Sequence, residues 1–195
     1  MVVDANGEAL TRNQAARRER VIKAAMELAA EGGYDAVQMR DVASRAHVAL
    51  GTIYRYFASK DHLLAATLVE FSSDIQGRIE RQPPRGATAA DRVVDVVRRA
   101  MRAIERQPRL GKAMVTAISS PDPAVADCQA QMTVLMMQLL SGPMGDDVDP
   151  ARARDVVTVL SHVWFSSLLG WVNDWSNVGD VGDELESAAR LLLPT

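Results

Sequence analysis

At 195 residues the chain is long enough to bury one large core or two small ones. With 48% apolar and 24% charged residues it has the composition of an ordinary globular protein, not of a disordered or collagenous one. The net charge is −3, with nine Lys/Arg against eight Asp/Glu in residues 1–62, so a nucleic-acid-binding surface has to come from the placement of basic side chains and not from bulk charge.

The lone cysteine, Cys128, excludes an internal disulfide framework and a cysteine zinc cluster, and it fits a reducing cytoplasm. His47, His62 and His162 have no HExxH-type spacing and no nearby Cys partner, and the sequence has no Walker or dinucleotide glycine pattern. The expectation is therefore no enzyme, no bound metal and no cofactor. Residues 1–11 lack the apolar core of a signal peptide or anchor and read as a disordered lead. Apolar runs such as Met132–Leu140 fall short of the roughly 18 residues that a membrane span needs.

In chain order, every periodic segment reads as helical. A first helix is predicted from Thr11 or Arg12 to Ala30, with Val21, Ile22, Ala25, Leu28 and Ala29 as its inner stripe and Gly32-Gly33 as its stop. A short helix follows with Met39, Val42, Ala43 and Ala46 on one face, and it breaks at His47, a residue type that tolerates left-handed backbone. The next short helix carries Ile53 and Phe57 inward, which leaves Gly51, Thr52, Arg55 and Tyr56 for the outer surface. Ser59 is placed to cap a fourth helix beginning at Lys60.

Gln82-Pro83-Pro84-Arg85-Gly86-Ala87 is the clearest break in the chain, and Thr88 is a cap for the helix beyond it. Pro108 opens a short helix through Ser119. Pro121 and Pro123 open a methionine-rich helix that ends at Gly142-Pro143, and residues 142–149 read as an acidic loop. A long helix is predicted from Pro150 to Trp175, with Val157, Leu160, Trp164, Leu168, Trp171 and Trp175 on one face. Its second face carries His162, Phe165, Ser166, Leu169, Gly170 and Asn173. A helix apolar on two faces is either central in its domain or shared with a partner chain, and this face is the predicted dimer interface. A last helix is expected from Val181 to Leu193.

The segment Val37–Lys60 has the two requirements of a helix-turn-helix, an apolar back that fixes the angle and a small or polar front that enters a major groove. A plain helical hairpin has the same spacing. The motifs Gly32-Gly33-Tyr34-Asp35-Ala36, Arg40-Asp41-Val42-Ala43, Gly51-Thr52-Ile53-Tyr54 and Tyr56-Phe57 with Ser59-Lys60 resemble the DNA-binding domain of the TetR family of bacterial repressors, over residues 14–64. The resemblance implies an all-α homodimer with a helix-turn-helix domain over residues 12–60 and a larger effector-binding and dimerisation domain over residues 61–195. It also implies a palindromic double-stranded operator and a cytoplasmic, nucleoid-associated location.

Leu50, Gly51 and Thr52 are the expected base-edge contacts, with Leu50 and the Thr52 methyl suited to a thymine methyl. Arg55 suits either a guanine or a phosphate. Tyr54, Tyr56 and Lys60 are expected to hold phosphates, and Gln38 and Arg40 to reach flanking backbone or a base. The chain departs from the common family pattern at His47, where glycine is frequent, and at Ala49-Leu50, where Ser-Lys is frequent. Ala49 forgoes a capping hydroxyl worth about 1 kcal/mol.

In the C-terminal half, methionines gather where the family has its effector pocket. The expected lining is Met101, Ile104, Met114, Ile118, Met132, Met136, Trp164, Leu168 and Trp171, flexible enough to take a bulky apolar ligand. Ordinary core packing is the better explanation of any single one of these methionines. Gly33–Arg40 and Val163–Trp171 are also similar to the actinobacterial KstR-type repressors of sterol catabolism, and this similarity implies a coenzyme A thioester of a steroid-derived acid as effector. Arg98, Arg102, Arg106, Arg109 and Lys112 form a stripe that is either a phosphate-binding strip or a solvated helix face. The alternatives are a TetR-type multidrug-efflux regulator released by cationic drugs and, in a different class, a helical carrier or enzyme with a structural hairpin.

Overall fold

The structure, a computed structural model, describes residues 11–194, so nearly all of the expected N-terminal lead lies outside the described residues. Among the described residues there is no strand. The helices are α1 (Arg12–Ala36), α2 (Met39–Arg45), α3 (Leu50–Tyr56), α4 (Lys60–Arg81), α5 (Ala89–Glu105), α6 (Pro108–Ile118), α7 (Ala126–Ser141), α8 (Pro150–Val172) and α9 (Val178–Leu192). Short 3-10 segments at Pro123–Val125 and Gly142–Asp147 join them, the second where an acidic loop was expected. The fold is all-α, as the periodicity predicts. The chain divides into two compact units, one of residues up to Glu70 with Gln107–Gln129, the other of Phe71–Arg106 with the residues from Ala130 onward.

In the first unit α1 begins at a capping box. The Gln14 amide donates to Thr11 Oγ1 at 3.4 Å and the Thr11 amide donates to Gln14 Oε1 at 2.7 Å. Its buried stripe is Val21, Ile22, Ala24, Ala25, Leu28 and Ala29. The helix does not stop at Ala30. It kinks at Gly33, whose φ of 76° needs a residue without Cβ, and gains one further turn to Ala36. Against α1 lies α6, which buries Leu110, Ala113, Met114, Ala117 and Ile118.

The turn between α2 and α3 is a Schellman motif. The Val48 amide reaches Ala43 O at 3.0 Å, the His47 amide reaches Ser44 O at 3.2 Å, and His47 itself takes φ 53°. The left-handed turn expected at His47 is present. Arg20 Nε braces it from α1, donating to Ala46 O at 3.4 Å.

In the second unit the core joins Val93, Val97, Met101 and Ile104 of α5, Leu160, Trp164 and Trp171 of α8, and Val181 and Leu185 of α9. Thr88 and Asp91 form the capping box that starts α5. Arg92 ties the 3-10 segment to α5 by donating to Pro143 O at 2.7 Å and Met144 O at 3.3 Å and pairing with Asp147. The last helix begins at Val178, earlier than expected, because Asn177 and Asp180 cap it there.

The predicted long helix is shorter than its apolar spacing suggested. α8 ends at Val172 in a second Schellman motif, with Trp175 N donating to Gly170 O at 2.9 Å and Asp174 in the left-handed region at φ 59°. Trp175 thus leaves the inner face and is 81% exposed, a correction to its placement beside Trp164 and Trp171. α8 is also long and apolar enough, by length and composition, to cross a membrane. No uninterrupted run revealed this, because its apolar residues are divided between two faces.

His47→Gly is expected to stabilise the first unit by about 0.5–1 kcal/mol, since glycine enters left-handed backbone without a Cβ clash. The urea midpoint measures it, and a lower midpoint would mean that the imidazole contributes more than the backbone strain costs.

Candidate nucleic-acid interface

α3 is a two-turn helix set by burial on one side. Ile53, Tyr56 and Phe57 recur at three and four residues and are buried, on a helix that contacts α1 and α2, and Val42, Ala43 and Ala46 are buried too. Its N-cap, Ala49, makes no side-chain capping bond, as its chemistry requires. The opposite side presents Gly51, Tyr54 and Arg55, all exposed, with Leu50 and Thr52 half-buried beside them. Gln38 and Arg40 are exposed at the start of α2, and the Gln38 side-chain amide donates to Asp35 O at 2.9 Å.

Tyr56 corrects the sequence expectation. It is only 3% exposed, because it lies three residues after Ile53 on the inward face, and its hydroxyl has no hydrogen-bond partner among the described residues. The tyrosine that faces solvent is Tyr54, at 50% exposure. Lys60 is also held inward of where a phosphate ligand was expected. Its ammonium sits 3.7 Å from the Tyr34 ring centroid and donates to Tyr34 O at 3.3 Å.

Gly51 is not there for the fold. Its φ is not positive, and a Cβ added to it would meet nothing within 4 Å. A glycine inside a helix costs about 0.5–1 kcal/mol relative to alanine, so the open space in front of Gly51 is what it preserves.

A polar network, invisible as a motif, holds the start of α4. Asp61 accepts from the Tyr34 hydroxyl and, at 2.6 Å, from Ser120 Oγ. Ser59 donates to Asp122 Oδ2 at 2.5 Å while its oxygen caps the His62 amide at 3.0 Å. Burial and the Asp61 carboxylate push the Tyr34 hydroxyl up to about 12, so it remains a donor throughout the physiological range. The Ser59 hydrogen bond and the Ala124 amide hold the Asp122 carboxyl below its usual value. No local pattern marks these residues, because their partners lie far apart in the chain.

The pocket and dimer residues divide as follows. Met101, Ile104, Met136, Trp164, Leu168 and Trp171 belong to the core of the second unit, half-buried Met132 lies on α7 in that unit, and Met114 and Ile118 belong to the first. On α8, His162, Phe165, Ser166 and Asn173 are exposed and Leu169 is half-buried, with Phe165 and Val159 each 44% exposed. In the arginine stripe, Arg98 is paired with Glu186, and Arg109 donates to Glu31 O at 2.6 Å.

His62 generates a pH prediction. Burial, partly opposed by Asp122, lowers its pKa from 6.5, and its Nδ1 must stay unprotonated to accept the Ala58 amide at 3.2 Å. As pH falls below about 6.5 the unfolded chain binds a proton that the folded chain resists, so stability falls. Urea midpoints of the first unit's transition should drop between pH 7 and 5.5, and His62→Gln should flatten that slope; an unchanged slope would assign it to other groups.

Residues 21–67 match the family model for bacterial regulatory proteins of the tetR family, and residues 86–192 match the tetracyclin repressor-like C-terminal domain. Over 193 residues the chain is 37% identical to the HTH-type transcriptional repressor KstR of Mycobacterium tuberculosis, covering 99% of this chain and 88% of that protein. Its fold matches the crystal structure of a TetR transcriptional regulator from Rhodococcus sp. RHA1 with a TM-score of 0.82 and 30% identity, over 93% of this chain and 97% of that one. It also matches Thermus thermophilus FadR, a TetR-family repressor in complex with lauroyl-CoA, with a TM-score of 0.71 and 23% identity, over 90% and 92% of the two chains. The chain therefore belongs to the TetR family of bacterial DNA-binding transcriptional repressors, and it is not an enzyme.

Proposed function

We propose that this repressor binds a palindromic operator as a homodimer and releases it when a large hydrophobic effector, a steroid-derived or other acyl-CoA, enters its C-terminal helical domain, residues 61–195. The observation that carries the DNA part is the front of α3, where Gly51 keeps the backbone open between Leu50, Thr52, Tyr54 and Arg55. Base readout falls to Leu50, Gly51, Thr52 and Arg55, with Tyr54 on phosphate and Gln38 and Arg40 at the flank, within a helix-turn-helix domain over residues 12–60. Lys60 serves phosphate binding by firming the Tyr34 turn unless DNA draws its ammonium away. Tyr56 acts from within, as packing under α3.

The homodimer reading is supported by the outer face of α8. Val159, His162, Phe165, Ser166, Leu169 and Asn173 follow one another at helical spacing on the side away from the second unit's core, and exposed apolar residues so aligned mark an interface. A membrane is not part of the reading, and the location proposed is the cytoplasm.

The effector reading is supported by the 37% identity to KstR over nearly the whole chain and by the lauroyl-CoA bound to the Thermus FadR of the same fold. The polarizable Met101, Met136, Trp164 and Trp171 suit such a ligand. α4 is the coupling element. Lys60 and Asp61 at its start are bonded to Tyr34 and Ser120, and Ile75 and Ile79 lie in the second unit's core. Ligand that prefers one position of α4 shifts DNA affinity by the difference in its own affinity for the two states.

Four measurements test this. DNA captured from a fragmented genome by the purified protein should contain a palindrome, and saturating steroid-derived acyl-CoA should weaken its binding at least 10-fold in fluorescence anisotropy; unchanged affinity would remove this effector class. Gly51→Ala should raise stability by up to about 1 kcal/mol while weakening operator binding, two effects of opposite sign. Phe165→Arg should yield a monomer in sedimentation velocity with weakened operator binding, and a dimer of wild-type stability would place the interface elsewhere.

A further inference from the structure

Trp164 is the one buried indole whose N–H finds no acceptor among the described residues. The side chain is 6% exposed and sits in the apolar cluster of the second unit with Met101, Leu160 and Trp171, with half-buried Met136 and Leu168 packed against that cluster. The side chains of this cluster offer hydrocarbon and thioether surface and no strong acceptor. Elsewhere on the same helix, the buried hydroxyl of Ser167 donates to Glu184, so polar groups on α8 are otherwise provided for. A buried donor without a partner lowers stability, and phenylalanine would fill much of the same space without that penalty.

We infer that the Trp164 indole N–H is the polar fixed point of the effector site, donating one hydrogen bond to a ketone or thioester carbonyl oxygen on an otherwise apolar ligand. The inference rests on the reading of the C-terminal helical domain as the effector-binding part. It narrows the ligand class. An N–H donor favours an oxygen acceptor over a plain hydrocarbon and disfavours a cation, so Trp164 selects against the cationic drugs that a multidrug regulator would take. The donor is already unpaired without ligand, so a hydrocarbon analogue adds no new penalty. Discrimination is then the net value of one hydrogen bond, about 10-fold in affinity.

The test uses the full-length protein, wild type and Trp164→Phe, with two probes that differ by one oxygen, the steroid ketone androst-4-en-3-one and its deoxygenated parent androst-4-ene. Wild type should bind the ketone about 10-fold more tightly. In 15N-labelled protein the chain's three tryptophans give three indole N–H signals, and the one absent from Trp164→Phe should move downfield with the ketone only. Trp164→Phe should bind both probes alike and melt no lower than wild type. Binding of both probes with no preference in wild type, or a preference retained in Trp164→Phe, overturns the inference while leaving the apolar effector reading intact. Failure of both probes to bind wild type overturns the steroid-sized effector reading and this inference with it, and the capture of operator DNA is unaffected by that result.

Discussion

The start of α4 is fixed by one carboxylate. Asp61 stands in the first turn of α4 and accepts hydrogen bonds from Tyr34 at the end of α1 and from Ser120 just past α6. Three segments distant in sequence thus meet at two oxygens. Lys60 completes the junction from the other side of Tyr34, with its cation against the ring and its N–H on the carbonyl. Side-chain hydrogen bonds to a charged group are worth about 1.5–3 kcal/mol each, so this junction holds the first turn of α4 firmly. α2 and α3 are too short to hold themselves in water and take their geometry from what lies beneath them.

Much of that arrangement was legible in the sequence, because its signals are local. Ser59 and Thr88 cap where their hydroxyls predict, and His47 turns the chain as a residue tolerant of left-handed backbone should. The misreadings share a physical cause. Turning Ile53 and Phe57 inward leaves Tyr56 for the outer surface on spacing alone; in the fold it is buried and its ring meets that of Phe57 edge-on. Trp175 was kept on the inner face because apolar spacing continued past Val172, but spacing does not reveal that Asp174 accepts φ 59° and ends the helix. The partners of Asp61 and Asp122 were out of reach of any local pattern, since a hydrogen bond across some sixty residues depends on the tertiary fold.

The functional halves differ in how they use charge. Residues 1–62 are nearly neutral in total, and the front of α3 proposed to face DNA sets exposed Arg55 beside an uncharged Leu50-Gly51-Thr52, with exposed Arg40 on α2. In the second unit the arginines are absorbed into structure instead. Arg92, Arg98 and Arg190 fasten α5 to the 3-10 segment and to α9 through Asp147, Glu186 and Asp91. Of the basic stripe, Arg98 is such a tie, and Arg109 donates to Glu31 O in the first unit.

The early end of α8 also has an optical consequence. Trp164 and Trp171 are buried in the second unit's core, and Trp175, three residues past the helix, is turned into solvent. Intrinsic emission should thus separate into a blue component from the core and a red one that aqueous iodide quenches. With Trp175 silenced by quencher, the remaining fluorescence comes from the two indoles of the core. The chain carries its own reporter on the helices proposed to sense the effector, with no label attached.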